Sequence, residues 1–314
     1  MIRFFLRRLL IAIPVLFFVA LFIFLLLRLT PGDPATIIAG EIASPEQIEA
    51  IRARLGLNAP LGHQFATWMG QLFMGDFGHS LISKKPVLQL IGQRVGPTLS
   101  LAIVSMCLTL LIALPLGVLA AWKHGGLLDR TVMAMSVLGF SIPIFVTGYV
   151  LIGIFAVNFG IFPVQGYQPI SNGIGPFLYR IFLPALALSS IFIALVARMT
   201  RASMLEVLRE DYVRTARAKG LQERTVLFKH ALRNAAIPIL TVVGTSFAAM
   251  IAGVVVTETV FNIPGLGRLV VDAVLARDYP LIQSIILLTA ACYVIINLLV
   301  DLSYALTDPR IRYQ

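Results

Sequence analysis

Charged side chains are scarce in this sequence. They make up 13% of the 314 residues, whereas 58% of the residues are hydrophobic. A water-soluble domain could not bury so much apolar surface, so the composition excludes an ordinary soluble protein and predicts an integral membrane protein. Cysteine is scarce too, and two cysteines are too few for a disulfide framework or a cysteine-rich metal site.

The signatures of common enzymes are also missing. None of the five lysines follows a glycine, which excludes the Gly-Lys-Ser/Thr of a phosphate-binding loop. None of the four histidines precedes a glutamate, as the H-E-x-x-H zinc motif requires, and the G-x-S-x-G motif of serine hydrolases is absent. The sequence therefore predicts neither an enzyme nor a site for a metal or another cofactor.

What the sequence does contain is a series of long apolar segments. Each is long enough to cross roughly 30 Å of hydrocarbon, and in lipid such segments satisfy their backbone polar groups as helices. The predicted fold is therefore an all-α integral membrane protein with six transmembrane helices. The predicted spans are residues 9–27, 99–122, 131–157, 181–197, 236–256 and 281–302.

The positive charges predict the orientation of these spans. Sixteen lysines and arginines lie in the segments on the side of the N-terminus, and nine lie on the other side, spread over more residues. Because cytoplasmic segments carry the excess of positive charge, both termini are predicted to be inside. The net charge of +10 then reflects topology and affinity for the lipid bilayer, and no pattern indicates binding to nucleic acid.

The chain is predicted to have three parts. Residues 1–28 form the N-terminal transmembrane helix, residues 29–97 an extracytoplasmic helical segment, and residues 98–314 a core of five helices. In the external segment, Ser44 and Gln47 predict a capping box at a helix that Gly56 ends. The apolar stripes of this segment (Ile48, Ile51 and Leu55, then residues 64–73) are expected either to pack on the same domain or to contact an extracytoplasmic partner.

The most polar stretch of the chain lies between the fourth and fifth spans, within residues 198–235. Ser203 and Glu206 predict a capping box at one helix of this loop. Asp211 is expected to cap a second, short helix, and Gly220 to end it in a left-handed conformation. On the short helix one face is predicted to carry Tyr212, Thr215, Ala216 and Lys219, with Arg214 and Arg217 on its basic flank.

The residues of this loop carry a family resemblance. The sequence D-Y-x-R-T-A-R-A-K-G-L, followed by H-A-L-R-N-A-x-I-P, resembles the cytoplasmic "EAA" loop of ABC-importer permeases in its peptide and nickel branch. Only Ala216, Gly220 and Leu232 fit the general pattern of the loop, and Arg214 stands where that pattern has glutamate. The resemblance implies a coupling helix that contacts the ATPase subunit. Its implied coupling residues are Asp211, Tyr212, Arg214, Thr215, Ala216, Arg217, Ala218, Lys219, Gly220 and Leu221.

Further motifs extend this resemblance along the whole chain. They lie at residues 31–34 (P-G-D-P), 55–61 (L-G-L-x-x-P-L), 75–80 (G-D-F-G-x-S), 258–268 (E-x-V-F-N-x-P-G-L-G-R), 277–280 (R-D-Y-P) and 308–310 (D-P-R). The resemblance implies a permease subunit of an ATP-driven importer in the cell inner (plasma) membrane. The implied partners are a second homologous permease, two ABC ATPase subunits, an extracytoplasmic substrate-binding protein and a peptide-like substrate.

Several alternatives to peptide import stay open at this point. Nickel and glutathione import fall within the same family. An ion-coupled secondary transporter and a passive channel are the competing classes outside it. An ion-coupled carrier usually needs ionisable residues near the middle of the membrane, whereas the charges here are predicted to lie at the ends of the spans, as at Glu258 and Asp301.

Overall fold

A computed structural model describes residues 2–29, 34–39, 43–54 and 56–307 of the chain. Within these ranges the chain is helical, with turns and one isolated bridge between His79 and Pro86, so the all-α prediction is confirmed. The α-helices, in chain order, are α1 (Ile2–Leu29), α2 (Pro34–Ala39), α3 (Pro45–Arg54), α4 (Leu61–Phe73), α5 (Val87–Trp122), α6 (Leu127–Ser141), α7 (Ile144–Leu151), α8 (Ile174–Val207), α9 (Asp211–Ala218), α10 (Glu223–Thr225), α11 (Leu232–Asn234), α12 (Ala236–Val260), α13 (Leu266–Leu275) and α14 (Tyr279–Thr307).

Several of these helices are long and apolar enough to cross a membrane. In the described part of the chain four single helices are long and apolar enough, and there are up to six spans if each of two bent helix pairs counts as one span. The four are Leu10–Leu29, Val87–Trp122, Ile174–Val207 and Tyr279–Ser303. The bent pairs are Leu127–Ser141 with Ile144–Asn158, and Glu223–Asn234 with Ala236–Ile251.

The predicted span 131–157 is not one continuous helix, because the helix is broken in the middle. Helices α6 and α7 meet at an angle of 104°. Pro143 has no N–H to continue the helix and restricts the residue before it to extended conformations. Ile142 accordingly has φ −92° and ψ 122°, which ends α6.

Two long helices, α5 and α8, form the centre of the structure. They approach so closely that a Cβ on Gly117 of α5 would lie 2.6 Å from the Cβ of Thr200 on α8. Small residues permit this spacing between membrane helices, where tight packing replaces the hydrophobic effect. The main core cluster, which includes Leu101, Leu188 and Phe261, joins these two helices to α7 and α12.

The two ends of α5 belong to different clusters. Near its start, Val87 and Ile91 pack with Ile23 of α1 and Ile285 of α14. Near its end, Val118 and Ala121 pack with Met204 of α8 and with the loop that follows α8. Because a helix of 36 residues spans about 54 Å, the external segment and the loop after α8 lie at opposite ends of the molecule.

The external segment folds largely as its sequence predicts. The backbone N–H of Ser44 donates to Gln47 Oε1 at 3.1 Å, and the N–H of Gln47 donates to Ser44 Oγ at 3.3 Å, which confirms the capping box. Gly56 follows α3 with a φ of +66°. Phe65 and Trp68 of α4 pack against Phe24 of α1, so this apolar face contacts the chain's own first helix. Some of the predicted motif residues lie outside the described residues, namely 31–33, Leu55 and 308–310.

The connection between α12 and α13 is held by a buried carboxylate. Helix α12 continues to Val260, past the predicted end of the span at residue 256, so Glu258 lies in the last turn of the helix, and it is fully buried. Thr98 Oγ1 donates to Glu258 Oε1 at 2.6 Å, and the backbone N–H of Arg268 donates to Glu258 Oε2 at 3.0 Å. The start of α13 is thereby tied to α12 and α5.

A second buried carboxylate joins two of the sequence motifs. Asp278, from the R-D-Y-P motif, accepts hydrogen bonds from the Ser80 hydroxyl and from the backbone N–H of Leu81, the latter at 3.0 Å. Ser80 closes the G-D-F-G-x-S motif and, like Asp278, is only 2% exposed. The external segment is therefore hydrogen-bonded to the turn that begins α14.

Candidate functional site

The short helix α9 is held to the rest of the chain by two small side chains. Val213 and Ala216, one turn apart, are buried and form a cluster with Val226, packed also by Val207 and Leu208. The remaining residues of α9 are exposed. Because residues three apart lie on the same side of a helix, this pair fixes which face of α9 is turned outward.

The end of α9 has the geometry that the sequence predicts. Gly220 adopts a φ of +75°, which confirms the left-handed conformation. The N–H of Gly220 donates to the carbonyl of Arg217 at 2.9 Å, and the N–H of Leu221 donates to that of Ala216 at 3.3 Å. This pair of bonds is the Schellman arrangement, and it satisfies two carbonyls that the end of the helix leaves free.

The beginning of the loop differs from the prediction. Helix α8 continues through Val207, so Ser203 is a buried helical residue and does not cap a helix with Glu206. The apolar contacts of α8 in this region outweigh the local capping signal. Asp211 is the first residue of α9 and not its cap, because Glu210 takes the extended conformation that precedes the helix, without a side-chain cap bond.

The structure places the predicted coupling residues on one short segment, but not all on one surface. Ala216 is 8% exposed and therefore does not share an open face with Tyr212, Thr215 and Lys219, as the helical spacing suggested. The buried stripe runs through Val213, which the sequence analysis did not single out. The exposed predicted residues are Asp211, Tyr212, Arg214, Thr215, Arg217, Ala218, Lys219, Gly220 and Leu221.

Arg217 already has a partner within the chain. Its Nη2 donates to Glu223 Oε1 at 2.7 Å and its Nε to Glu223 Oε2 at 3.3 Å, a two-point contact across the turn at Gly220. Both side chains remain partly exposed, at 40% and 34%. A paired guanidinium held at the rim of a surface has a fixed orientation, which favours a defined contact. Sequence reasoning missed Glu223.

Tyr212 is a partly covered aromatic side chain on α9. Burial raises the pKa of the Tyr212 hydroxyl above its ordinary value, although a hydrogen bond with the side chain of Asn234 acts in the opposite direction. The ring is still 41% exposed. An aromatic side chain that is partly covered and partly exposed is typical of a contact surface between proteins.

The segment after α9 packs against the helical core. Residues 223–234 form α10, a wider π-helical stretch at Val226–Ala231, and α11. Leu227 and Ala231 pack against Met204 of α8 and against Val118 and Ala121 of α5. The segment therefore connects α9 to the ends of the two central helices.

An ionic cluster ties the turn between α5 and α6 to α8 at the same end of the molecule. Asp129 Oδ2 accepts from Arg201 Nη2 at 2.8 Å and from the backbone N–H of Gly125 at 2.9 Å, and it lies 3.0 Å from His124 Nδ1. Arg201 Nε donates to the other oxygen, Oδ1. The Asp129 side chain is 5% exposed and that of Arg201 is 19% exposed. The sequence gives no sign of this pair, which is separated by 72 residues.

Comparison with known families covers nearly the whole chain. Residues 113–313 match the family described as "Binding-protein-dependent transport system inner membrane component". Residues 1–102 match the N-terminal part of such membrane components.

Individual relatives and a solved structure agree with this family. The "Probable peptide ABC transporter permease protein y4tP" of Sinorhizobium fredii is 54% identical, over 98% of each chain. The "Glutathione transport system permease protein GsiC" of Escherichia coli K12 is 44% identical over the full length of both chains. A chain of the inward-facing MetNI methionine ABC transporter shares the fold, with a TM-score of 0.60 and 20% identity over 70% of this chain and 97% of that one. The chain therefore belongs to the family of inner membrane components of binding-protein-dependent transport systems, and it is a multi-pass permease subunit of an ABC importer.

Proposed function

We propose that this permease subunit imports short peptides. The y4tP relative is named as a peptide permease and is 54% identical over nearly the whole length, which supports this substrate class. Glutathione is the second candidate, because GsiC, named for glutathione transport, is 44% identical over the full length. The two candidates share peptide chemistry, so one pathway of similar size and polarity suits both.

The proposed assembly contains a second homologous permease, two ABC ATPase subunits and an extracytoplasmic substrate-binding protein in the cell inner membrane. In this assembly residues 1–28 and 29–97 are the first span and the external segment, and residues 98–314 form half of the pathway. The loop 198–235 lies in the cytoplasm. Charge asymmetry supports this orientation, since the denser set of lysines and arginines lies on the side of α9.

The observation that carries the coupling role is the way α9 is held. It is buried only through Val213 and Ala216, and it presents its other residues at the end of the molecule opposite the external segment. We assign the contact with the ATPase to this exposed surface, from Asp211 to Leu221, with Gly220 setting its direction. ATP-driven closure of the ATPases would move α9, and the packing of residues 223–234 would pass the motion to α5 and α8.

The contact is tested by cross-linking in the assembled importer. In a cysteine-free background, Thr215→Cys on the exposed side of α9 is expected to cross-link to an ATPase subunit. Leu127→Cys is the matched control, because Leu127 is 80% exposed at the same end of the molecule but lies outside the loop. If Thr215→Cys cross-links no better than the control, α9 is not the contact surface.

The energy source and the substrate are tested in proteoliposomes that contain the whole importer. Uptake of dipeptides and tripeptides is expected to require ATP and the binding protein, and to persist when ion gradients are collapsed. Uptake driven by an ion gradient without ATP would instead support the ion-coupled carrier. Glutathione and nickel are measured in parallel, and saturable uptake of either one without peptide uptake would overturn the peptide assignment.

A further inference from the structure

A cavity of about 450 Å³ lies at the end of the molecule opposite α9, where α1, α4 and α14 meet. Its lining combines aromatic and polar side chains, including Phe24, Trp68, Arg28, Gln64, Tyr279 and Asp76. It is separate from the coupling loop, and none of the roles proposed above uses it. Arg28 stands at the last turn of the first span, which is the depth at which a membrane helix meets lipid headgroups.

Two buried polar atoms in this lining have no hydrogen-bond partner among the described residues. One is the hydroxyl of Tyr279, a residue that is 9% exposed, and the other is Oε1 of Gln64. The amide of Gln64 already donates both its hydrogens, to the carbonyls of Leu57 at 3.1 Å and Ala59 at 2.8 Å. Its oxygen can therefore only accept. Buried polar atoms usually have a partner, so the cavity lacks one hydrogen donor and one group that can bond the Tyr279 hydroxyl.

Arg28 supplies a positive charge to the same space. Its guanidinium lies over the ring of Phe24, 5.4 Å from the ring centre, and it makes no ion pair with a carboxylate in the described part of the chain. At the rim, Asp76 supplies a negative charge, and its Oδ1 already accepts from the N–H of Gly78 at 2.8 Å. The cavity therefore matches a ligand that has both an anionic group and an ammonium group.

The first helix continues this site into the membrane. Phe17 and Leu10 precede Phe24 by seven and fourteen residues, which places them on the same stripe of α1 as the cavity. Both are exposed, at 44% and 64%. A ligand with a charged head in the cavity and acyl chains along this stripe would cover them.

We propose that the cavity binds the phosphoethanolamine headgroup of a membrane phospholipid from the leaflet opposite α9. In this arrangement the phosphate accepts from Arg28 and from the Tyr279 hydroxyl, and the ammonium donates to Gln64 Oε1 and faces Asp76. Arginine binds phosphate oxygens in two-point contacts, and an ammonium provides the donor that the glutamine lacks. This inference is independent of the imported substrate.

The test is native mass spectrometry of the full-length chain, titrated with phosphatidylethanolamine and phosphatidylcholine of identical acyl chains. Phosphatidylcholine has the same phosphate but no ammonium hydrogen, so it is expected to bind about tenfold more weakly. Arg28→Gln is expected to weaken phosphatidylethanolamine binding by about tenfold as well. Lys85→Gln, which removes an exposed positive charge next to the start of α5, is the matched control and should leave binding unchanged.

A second variant separates binding from folding. Tyr279→Phe removes only a hydroxyl without a protein partner, so the lipid-free chain should keep its melting temperature while lipid binding weakens about threefold. Tyr149→Phe, at an exposed tyrosine elsewhere, should change neither property. Equal binding of the two lipids, or undiminished binding in Arg28→Gln, would overturn the proposal. Displacement of the lipid by free phosphoethanolamine or by a dipeptide at equal concentration would also overturn it and identify a soluble ligand.

Discussion

The junction between the external segment and α14 and the short helix α9 are stabilised in different ways. At the end of the molecule where the external segment lies, buried carboxylates accept hydrogen bonds from distant parts of the chain, as Asp278 does from Ser80 and Leu81. At the opposite end, α9 rests on two small apolar residues and exposes the rest of its surface. Buried, fully bonded carboxylates fix a junction, because each lost partner leaves a charge without compensation. Small apolar contacts hold α9 more weakly and leave its polar face open to another protein.

The largest effect on stability is expected where Asp278 joins the external segment to the start of α14. Replacing Asp278 by leucine leaves the buried Ser80 hydroxyl and the Leu81 N–H without their acceptor, which should cost about 3 kcal/mol of stability. The measurement is the melting temperature of the purified protein, together with its amount in the membrane. Asp272→Leu, at an exposed aspartate on α13, is the control and should have little effect. Similar melting temperatures for the two variants would mean that the junction is not a stabilising feature.

The ionic cluster at the α9 end should show an intermediate effect. Asp129→Leu leaves the guanidinium of Arg201 without its carboxylate, and we expect a loss of about 2 kcal/mol because Arg201 is partly exposed. The double variant Asp129→Leu/Arg201→Leu should recover part of this loss, since no charge is then left alone. A double-mutant cycle of melting temperatures measures the coupling between the two residues. Strictly additive losses would show that the two residues do not act as a pair.

A smaller effect is expected at the turn that ends α9. Gly220→Val forces a side chain into a left-handed conformation, at a cost of about 1 kcal/mol, although nothing within 4 Å would obstruct the new Cβ. The protein should insert normally while transport and co-purification of the ATPase decrease. Gly220→Asn is the matched variant, because asparagine tolerates this conformation, and it should retain most of the activity. Wild-type transport by Gly220→Val would mean that the direction of α9 is unimportant.

The smallest effect on stability is expected at the pair formed by Arg217 and Glu223. Both residues are partly exposed, so Arg217→Glu should cost only about 0.5 kcal/mol. Exchanging the charges, Arg217→Glu with Glu223→Arg, should restore stability but leave transport low, because the partner surface would then meet the opposite charge. Melting temperature and ATP-dependent uptake are measured on the same preparations. Full recovery of uptake in the charge-exchange variant would show that Arg217 only stabilises the turn at Gly220.

The features that could be predicted from the sequence are those whose causes lie within a few residues. The Ser44 capping box and the left-handed Gly220 depend on neighbouring backbone atoms, and the structure confirms both. The apolar segments likewise predicted the helices that can span a membrane. A local signal fails where tertiary packing decides, as at Ser203, where contacts of α8 continue the helix past an apparent cap.

Other features could not be predicted because they arise from contacts between distant segments. Hydropathy alone does not reveal the 104° bend at Pro143, although the proline itself was a visible signal. Asp129 and Arg201 are 72 residues apart in the sequence, and only the folded chain brings them into contact. Val213 was overlooked beside the charged residues of α9, even though its spacing from Ala216 already indicated the buried side. The ATPase contact itself involves another chain, so the fold of this subunit can show only the surface that is available for it.

The length of α5 restricts how this family can tolerate insertions and deletions. Thr98 near one end must meet Glu258, and Val118 near the other end must meet Met204. One residue inserted between them would rotate one end relative to the other by about 100° and shift it by about 1.5 Å. Either the contact of Thr98 with Glu258 or the packing of Val118 against Met204 and the loop after α8 would then be lost. Length variation should therefore be absent between positions 98 and 118 and should accumulate in connections such as the one between α7 and α8.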